Sequence, residues 1–143
     1  MSSVRHILQV KGHTSVWTVK PDNTVFEALK IMADKDVGAL LVMVGDKLTG
    51  IISERDYARK VILLGKASKD TPVADIMSSH VYVIHPSQTA EEAMELMNNK
   101  RIRHLPVVDE NETVVGVISI SDVLRDIIYR QRETIKRISE ETK

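Results

Sequence analysis

The sequence predicts an α/β (α+β) fold made of two tandem β-α-β-β-α repeats packed through a pseudo-twofold axis. Three observations carry this expectation. Residues 116–122 read GVISISD where residues 50–56 read GIISERD. The likeness extends well beyond that motif. A shift of 65 positions aligns Val16, Pro21, Thr24, Glu27, Ala28, Met32, Lys35, Leu40 and Val42 with Val81, Pro86, Thr89, Glu92, Ala93, Met97, Lys100, Leu105 and Val107. Past a one-residue insertion in the turn DENET, a shift of 66 aligns Gly50, Ile52, Ser53, Asp56, Arg59 and Ile62 with Gly116, Ile118, Ser119, Asp122, Arg125 and Ile128. Unrelated segments of that length would share about three identities at average composition, so the duplication is real. Thirdly, each copy alternates strand-like and helix-like hydrophobic patterns between turn signals at matching places.

The elements follow in order. VWTV (16–19) and VYVI (81–84) are rich in β-branched and aromatic residues and stop at Pro21 and Pro86, which is the pattern of a strand followed by a turn. Thr24 with Glu27, and Thr89 with Glu92, have the spacing of a capping box. Behind them, Ala28, Leu29 and Met32, and Ala93, Met94 and Met97, recur at helical spacing. ALLVMV (39–44) and LPVVD (105–109) are buried-strand segments. The turns GDK (45–47) and DENE (109–112) lead from them into LTGIIS (48–53) and VVGVIS (114–119), so each pair forms a hairpin. A helix then opens at Ser53 and at Ser119. A short helix precedes each copy, VRHIL (4–8) and VADIM (73–77), the second with Pro72 at the favoured first helical position. GKASKDT (65–71) is the linker. The domains are therefore 1–66, 67–130 and a C-terminal helical extension, 131–143. One unit cannot cover its own apolar sheet face, so two copies should close on each other and leave clefts between them as ligand sites.

Composition removes several function classes. Lys plus Arg and Asp plus Glu are both 20, so the basic excess of a nucleic-acid binder is missing. Without cysteine there is no disulfide framework and no thiol chemistry, and the redox compartment stays undetermined. No apolar run approaches 18 residues and the N-terminus lacks a secretory pattern, which predicts a soluble, cytoplasmic protein with no membrane partner. Aromatic residues are only 3%, so Val, Ile, Leu, Met and Ala must build the core. His6, His13, His80, His85 and His104 show no metal-ligand spacing, and His13 and His80 read as loop residues. Without a Ser-His-Asp set, a P-loop or G-x-G-x-x-G, no catalytic residues are expected and the protein is not an enzyme.

Ser-x-x-Asp at a helix start admits two readings. Ser can simply cap the helix, with an acidic residue in its first turn. Alternatively the carboxylate accepts two hydrogen bonds from a vicinal diol, beside a helix N-terminus that favours phosphate. Duplication together with the preceding glycine favours the second reading for Ser53 with Asp56 and Ser119 with Asp122. Gly50 and Gly116 either admit a ligand to the backbone or mark a bulge. Arg101, Arg103 and His104, lengthened by Lys100, form either a solvated face or a phosphate site. Arg55 is a phosphate candidate, whereas Arg59 and Arg125 read as surface or dimer residues. Trp17 and Tyr82 occupy one repeat position and read as core packing, with lining of an adenine pocket as the lesser alternative. At the C-terminus Leu124, Ile127, Ile128, Ile135 and Ile138 stripe a helix of about 20 residues, which suggests a subunit or partner contact.

On these residues the chain resembles the paired cystathionine-β-synthase (CBS) domain module, from Val4 to Tyr129. The resemblance is carried by V-x-D-I-M at 73–77, RHLPVVD at 103–109, and Gly, two apolar residues and S-x-x-D in both copies. It is most similar to small stand-alone bacterial and organellar pairs bearing GALLVM and SERDYARKV, here at 38–43 and 53–61. The resemblance implies a non-catalytic regulatory sensor, commonly a disc-shaped homodimer, that binds an adenine nucleotide between its repeats. AMP is the first choice, with NAD, ADP or ATP next, and no catalytic cofactor. It implies that Asp56 and Asp122 hold ribose hydroxyls, that Ser53 and Ser119 lie near phosphate, and that Arg103 and His104 meet phosphate. Thr18, Arg55, Ile52 and Ile118 complete the nucleotide-binding set. Gly38 and Ala39 stand where the second copy has Arg103 and His104, so the two sites should differ. Such a sensor of energy or redox state would act on a regulated partner protein. The alternative is a partner-protein interaction module with vestigial or empty nucleotide clefts, working through its C-terminal stripe.

Overall fold

The computed structural model describes residues 2–12 and 16–141; the loop expectation for His13 lies outside them. In chain order the elements are α1 (Val4–Lys11), β1 (Thr18–Val19), α2 (Val25–Lys35), β2 (Ala39–Val44), β3 (Lys47–Ser53) and α3 (Glu54–Tyr57), followed by α4 (Ala90–Lys100), β4 (His104–Val108), β5 (Val114–Ser119) and α5 (Ile120–Glu141). A π-helical turn, Ala58–Ile62, extends α3, and a 3₁₀ turn spans Val73–Asp75. The chain divides into two compact units, Ser15–Tyr82 and the combination of Met1–Thr14 with Val83–Lys143.

In the unit Ser15–Tyr82 the strands lie in the order β1-β2-β3, with β1 parallel and β3 antiparallel to β2. The hairpin sets Ala39 opposite Ser53 and Val42 opposite Gly50, and its register shifts between Val42 and Met43. That shift is a bulge beside Gly50, one of the two readings of this glycine. The helix α2 starts as its sequence requires, with the Glu27 amide donating to the Thr24 hydroxyl at 3.1 Å. Val25, Ala28 and Met32 on one face of α2 pack with Leu40, Val42, Ile52, Val61, Val73 and Ile76 to form the core. The 3₁₀ turn is tied down by the Val73 amide donating to the Asn23 carbonyl at 2.8 Å. Just beyond it, Ile51 and Ser78 exchange backbone hydrogen bonds of 3.0 and 2.9 Å. Pro72 is extended at ψ 148°, so it caps this turn instead of being its first helical residue.

In the other unit β4 and β5 form an antiparallel hairpin with His104 opposite Ser119 and Val107 opposite Gly116. Thr89 and Glu92 complete the capping box of α4. The expected first strand, 81–84, shrinks to one parallel bridge between Ile84 and Val107. Pro106 explains the loss. In the first copy the amide of Leu41 donates to the Trp17 carbonyl at 3.2 Å, but the matching position is Pro106, which has no N–H to give. The helix α1 is fastened here by the Val4 amide donating to Gln88 (2.7 Å) and the Arg5 amide to Pro86 (2.9 Å). Arg130 of α5 reaches Glu91 on α4 and Asp126 one turn back. The 22 residues of α5 give a rod of about 33 Å.

The lead-in segments are thus exchanged. The helix that precedes the first copy packs in the unit of the second, and the turn that precedes the second copy packs in the unit of the first. Gly116 and Gly50 make room for them. A Cβ at Gly116 would lie 2.7 Å from Cδ2 of Leu8 in α1, and one at Gly50 would lie 2.5 Å from Sδ of Met77. Among the described residues no helix is long and apolar enough to cross a membrane.

Candidate functional site

Each Ser-x-x-Asp forms a closed turn at a helix start. At the first, the Ser53 amide donates to Oδ2 of Asp56 at 2.9 Å and the Asp56 amide donates to the Ser53 hydroxyl at 3.2 Å. At the second, the Ser119 amide donates to Oδ2 of Asp122 at 2.8 Å and the Asp122 amide returns to the Ser119 hydroxyl at 3.2 Å. Capping therefore occurs at both places. Each carboxylate retains acceptor capacity on its second oxygen, because an ionised carboxylate offers about four lone-pair sites.

The two turns differ in their cations. Lys60, one turn along from Asp56, approaches its Oδ1 at 3.4 Å and donates to the Ile76 carbonyl at 3.0 Å. Asp122 is more enclosed, at 9% exposure, and is paired with Lys11 of α1 at 3.0 Å and with Arg125 at 3.5 Å. Burial pushes the Asp122 carboxyl upward, but the Ser119 amide and the Lys11 ammonium outweigh it and hold the group below the usual aspartate range.

His104 lies opposite Ser119, whereas Ala39 lies opposite Ser53. Arg103 is at the mouth of the same turn, where its carbonyl accepts from the Ile120 amide at 2.8 Å. Burial lowers the His104 pKa, the Lys11 charge lowers it further, Asp122 opposes, and Arg103 adds to the depression. A folded pKa below the unfolded one means that the folded state resists the proton. The stability of neutral His104 is complete above about pH 6.5 and is lost as pH falls through the depressed value. The melting temperature should therefore drop as the pH falls below about 6.5, and His104→Gln should flatten that drop. Identical pH slopes for the two proteins would show that His104 is not its source.

The remaining candidates are spread more widely. Thr18 is exposed on β1, where it pairs with Leu41. Arg55 is exposed in the first turn of α3. Ile52 and Ile118 are completely buried, so their side chains serve the core and only their backbone atoms could meet a ligand. Trp17 packs against the core cluster with Lys35 over its ring at 4.5 Å. Lys11 and Lys60 were not among the candidates. Lys60 stands four residues after Asp56 on a helix, a recognised ion-pair spacing. Lys11 is 111 residues from Asp122 and had no local signal.

A profile of the CBS domain matches residues 4–62 and 73–129. This chain belongs to the CBS domain family. The CBS pair is 37% identical to the mitochondrial CBS domain-containing protein CBSX3 of Arabidopsis thaliana, over 96% of this chain and 70% of that protein. It is 35% identical to the CBS domain-containing protein YhcV of Bacillus subtilis, over 86% of this chain and 84% of that protein. Among solved structures, a putative signal-transduction protein with CBS domains from Burkholderia ambifaria superposes with a TM-score of 0.86. It is 43% identical, covering 91% of this chain and 96% of that one. The CBS pair of protein MJ0100, solved with 5'-methylthioadenosine and S-adenosylmethionine, shares the fold at a TM-score of 0.78 and 24% identity. A CBS pair is a regulatory module, and the α+β tandem-repeat fold expected from the sequence is the fold observed.

Proposed function

We propose that this CBS pair is a non-catalytic sensor that binds an adenosine nucleotide through the carboxylates of Asp56 and Asp122, with AMP preferred and NAD, ADP or ATP as further ligands. One observation carries the reading: in both copies a carboxylate is pinned by the Ser amide through one oxygen while the other keeps acceptor capacity for a ribose hydroxyl. Arg103 and His104 are the phosphate-side residues at the second turn, and their replacement by Gly38 and Ala39 makes the first turn the less anion-selective. The adenosine-derived ligands of protein MJ0100 favour the same ligand class. The protein acts as a homodimer in the cytoplasm and reports occupancy to a partner protein, since a ligand shifts an equilibrium only by its differential affinity for two states. Titration calorimetry with AMP, ADP, ATP and NAD tests this, together with mass spectrometry of small molecules released from the purified protein. Heat with AMP and a released adenine nucleotide are the expected results.

A second reading has its own observation. Leu124, Ile128 and Ile135 stand 44%, 46% and 67% exposed along α5. A partner-binding module with empty nucleotide turns would use that stripe, and silence with all four nucleotides would favour it.

A further inference from the structure

We propose that Lys11 makes the Asp122 turn selective for anionic nucleotides over uncharged nucleosides, by exchanging its ion pair with Asp122 for one with the ligand's phosphate. The inference rests on the nucleotide reading above and extends it to a residue outside the repeated motif. Lys11 Nζ lies 3.0 Å from Oδ2 of Asp122 and 3.0 Å from the Val117 carbonyl. The same Oδ2 accepts from the Ser119 amide at 2.8 Å, so both of its lone-pair directions are taken. The other oxygen has a long contact with Arg125, 3.5 Å. A vicinal diol donates to both oxygens of a carboxylate, and here it meets one that is filled.

One of the two occupants must leave. The Ser119 amide is backbone at the end of a paired strand and cannot. Lys11 can, because its ammonium rides on a flexible four-carbon stem and is 25% exposed, in the last turn of α1 just before Gly12. Ligand charge then decides the outcome. With a phosphate nearby the freed ammonium gains a new partner. With an uncharged nucleoside it is left unpaired, and the loss of its pairing with a largely buried carboxylate is not made good. The Asp56 turn lacks this arrangement, since its cation, Lys60, sits on the following helical turn at 3.4 Å and is 45% exposed.

The test uses the full chain with Asp56→Ala to silence the first turn. Calorimetry gives dissociation constants for AMP and for adenosine, with Lys11 intact, with Lys11→Met and with Lys11→Arg. With Lys11 intact AMP should bind about tenfold or more tightly than adenosine. In Lys11→Met that ratio should fall about fivefold or more, leaving the part that Arg103 and His104 supply, while adenosine binds no worse, and Lys11→Arg should retain most of it. An undiminished AMP preference in Lys11→Met overturns the inference and leaves nucleotide binding standing. So does an equal loss of affinity for both ligands, which marks a purely structural lysine. Failure of the unmutated chain to bind either ligand overturns the nucleotide reading itself.

Discussion

Asp122→Asn should weaken AMP binding at its turn by roughly 10- to 100-fold, equivalent to about 1.4 to 2.7 kcal/mol. Asparagine keeps an oxygen that can accept from the Ser119 amide, so the start of α5 survives. What disappears is the charge that strengthens hydrogen bonds from a ribose diol. The same substitution leaves the Lys11 ammonium without its ion pair, so a stability loss of about 1 kcal/mol should accompany it. Calorimetry and a urea melt separate the two effects. Unchanged affinity combined with reduced stability would reduce Asp122 to a helix cap, and Asp56→Asn puts the same question to the first turn.

Gly50→Val should lower the stability of the folded chain by on the order of 2 to 3 kcal/mol, read as a shift of the urea midpoint. A Cβ there would lie 2.5 Å from Met77 Sδ and 3.1 Å from the Ser78 carbonyl oxygen. The sulfur can swing aside. The carbonyl cannot, because Ser78 and Ile51 are locked by their two backbone hydrogen bonds. Adding Met77→Ala should therefore recover only part of the loss. Gly116→Val should be milder, about 1 to 2 kcal/mol, since the obstacle is the end of the Leu8 side chain. A Gly50→Val protein as stable as the parent but defective in AMP binding would return this glycine to the role of ligand access.

The features legible in the chain share a short range. Thr24 with Glu27, Thr89 with Glu92 and each Ser-x-x-Asp are contacts three residues apart, and a helix start closes them wherever they occur. The hairpins follow from two apolar runs joined by a turn. Each candidate carboxylate sits in such a turn. Partners supplied from afar leave no such local signal. Lys11 pairs with Asp122 across 111 positions, and nothing in QVKG distinguishes that lysine from a solvated one. For Ile52 and Ile118, which the family resemblance places in the ligand set, the alternation of the strand turns the side chains into the core and leaves only backbone atoms for a ligand.

Duplication, the order of elements and the repeated Ser-Asp turn are properties of residue identity at close spacing, and the chain carried them without any fold to consult. The exchange of lead-in segments, and the different cations at two turns of one ancestry, were decided by packing. Leu8 and Met77 each fill a glycine-sized gap that only the assembled hairpins create, and docking α1 there delivers Lys11 to Asp122. Local hydrogen bonds depend on spacing along the chain, whereas the partner of a buried charge depends on which surfaces meet.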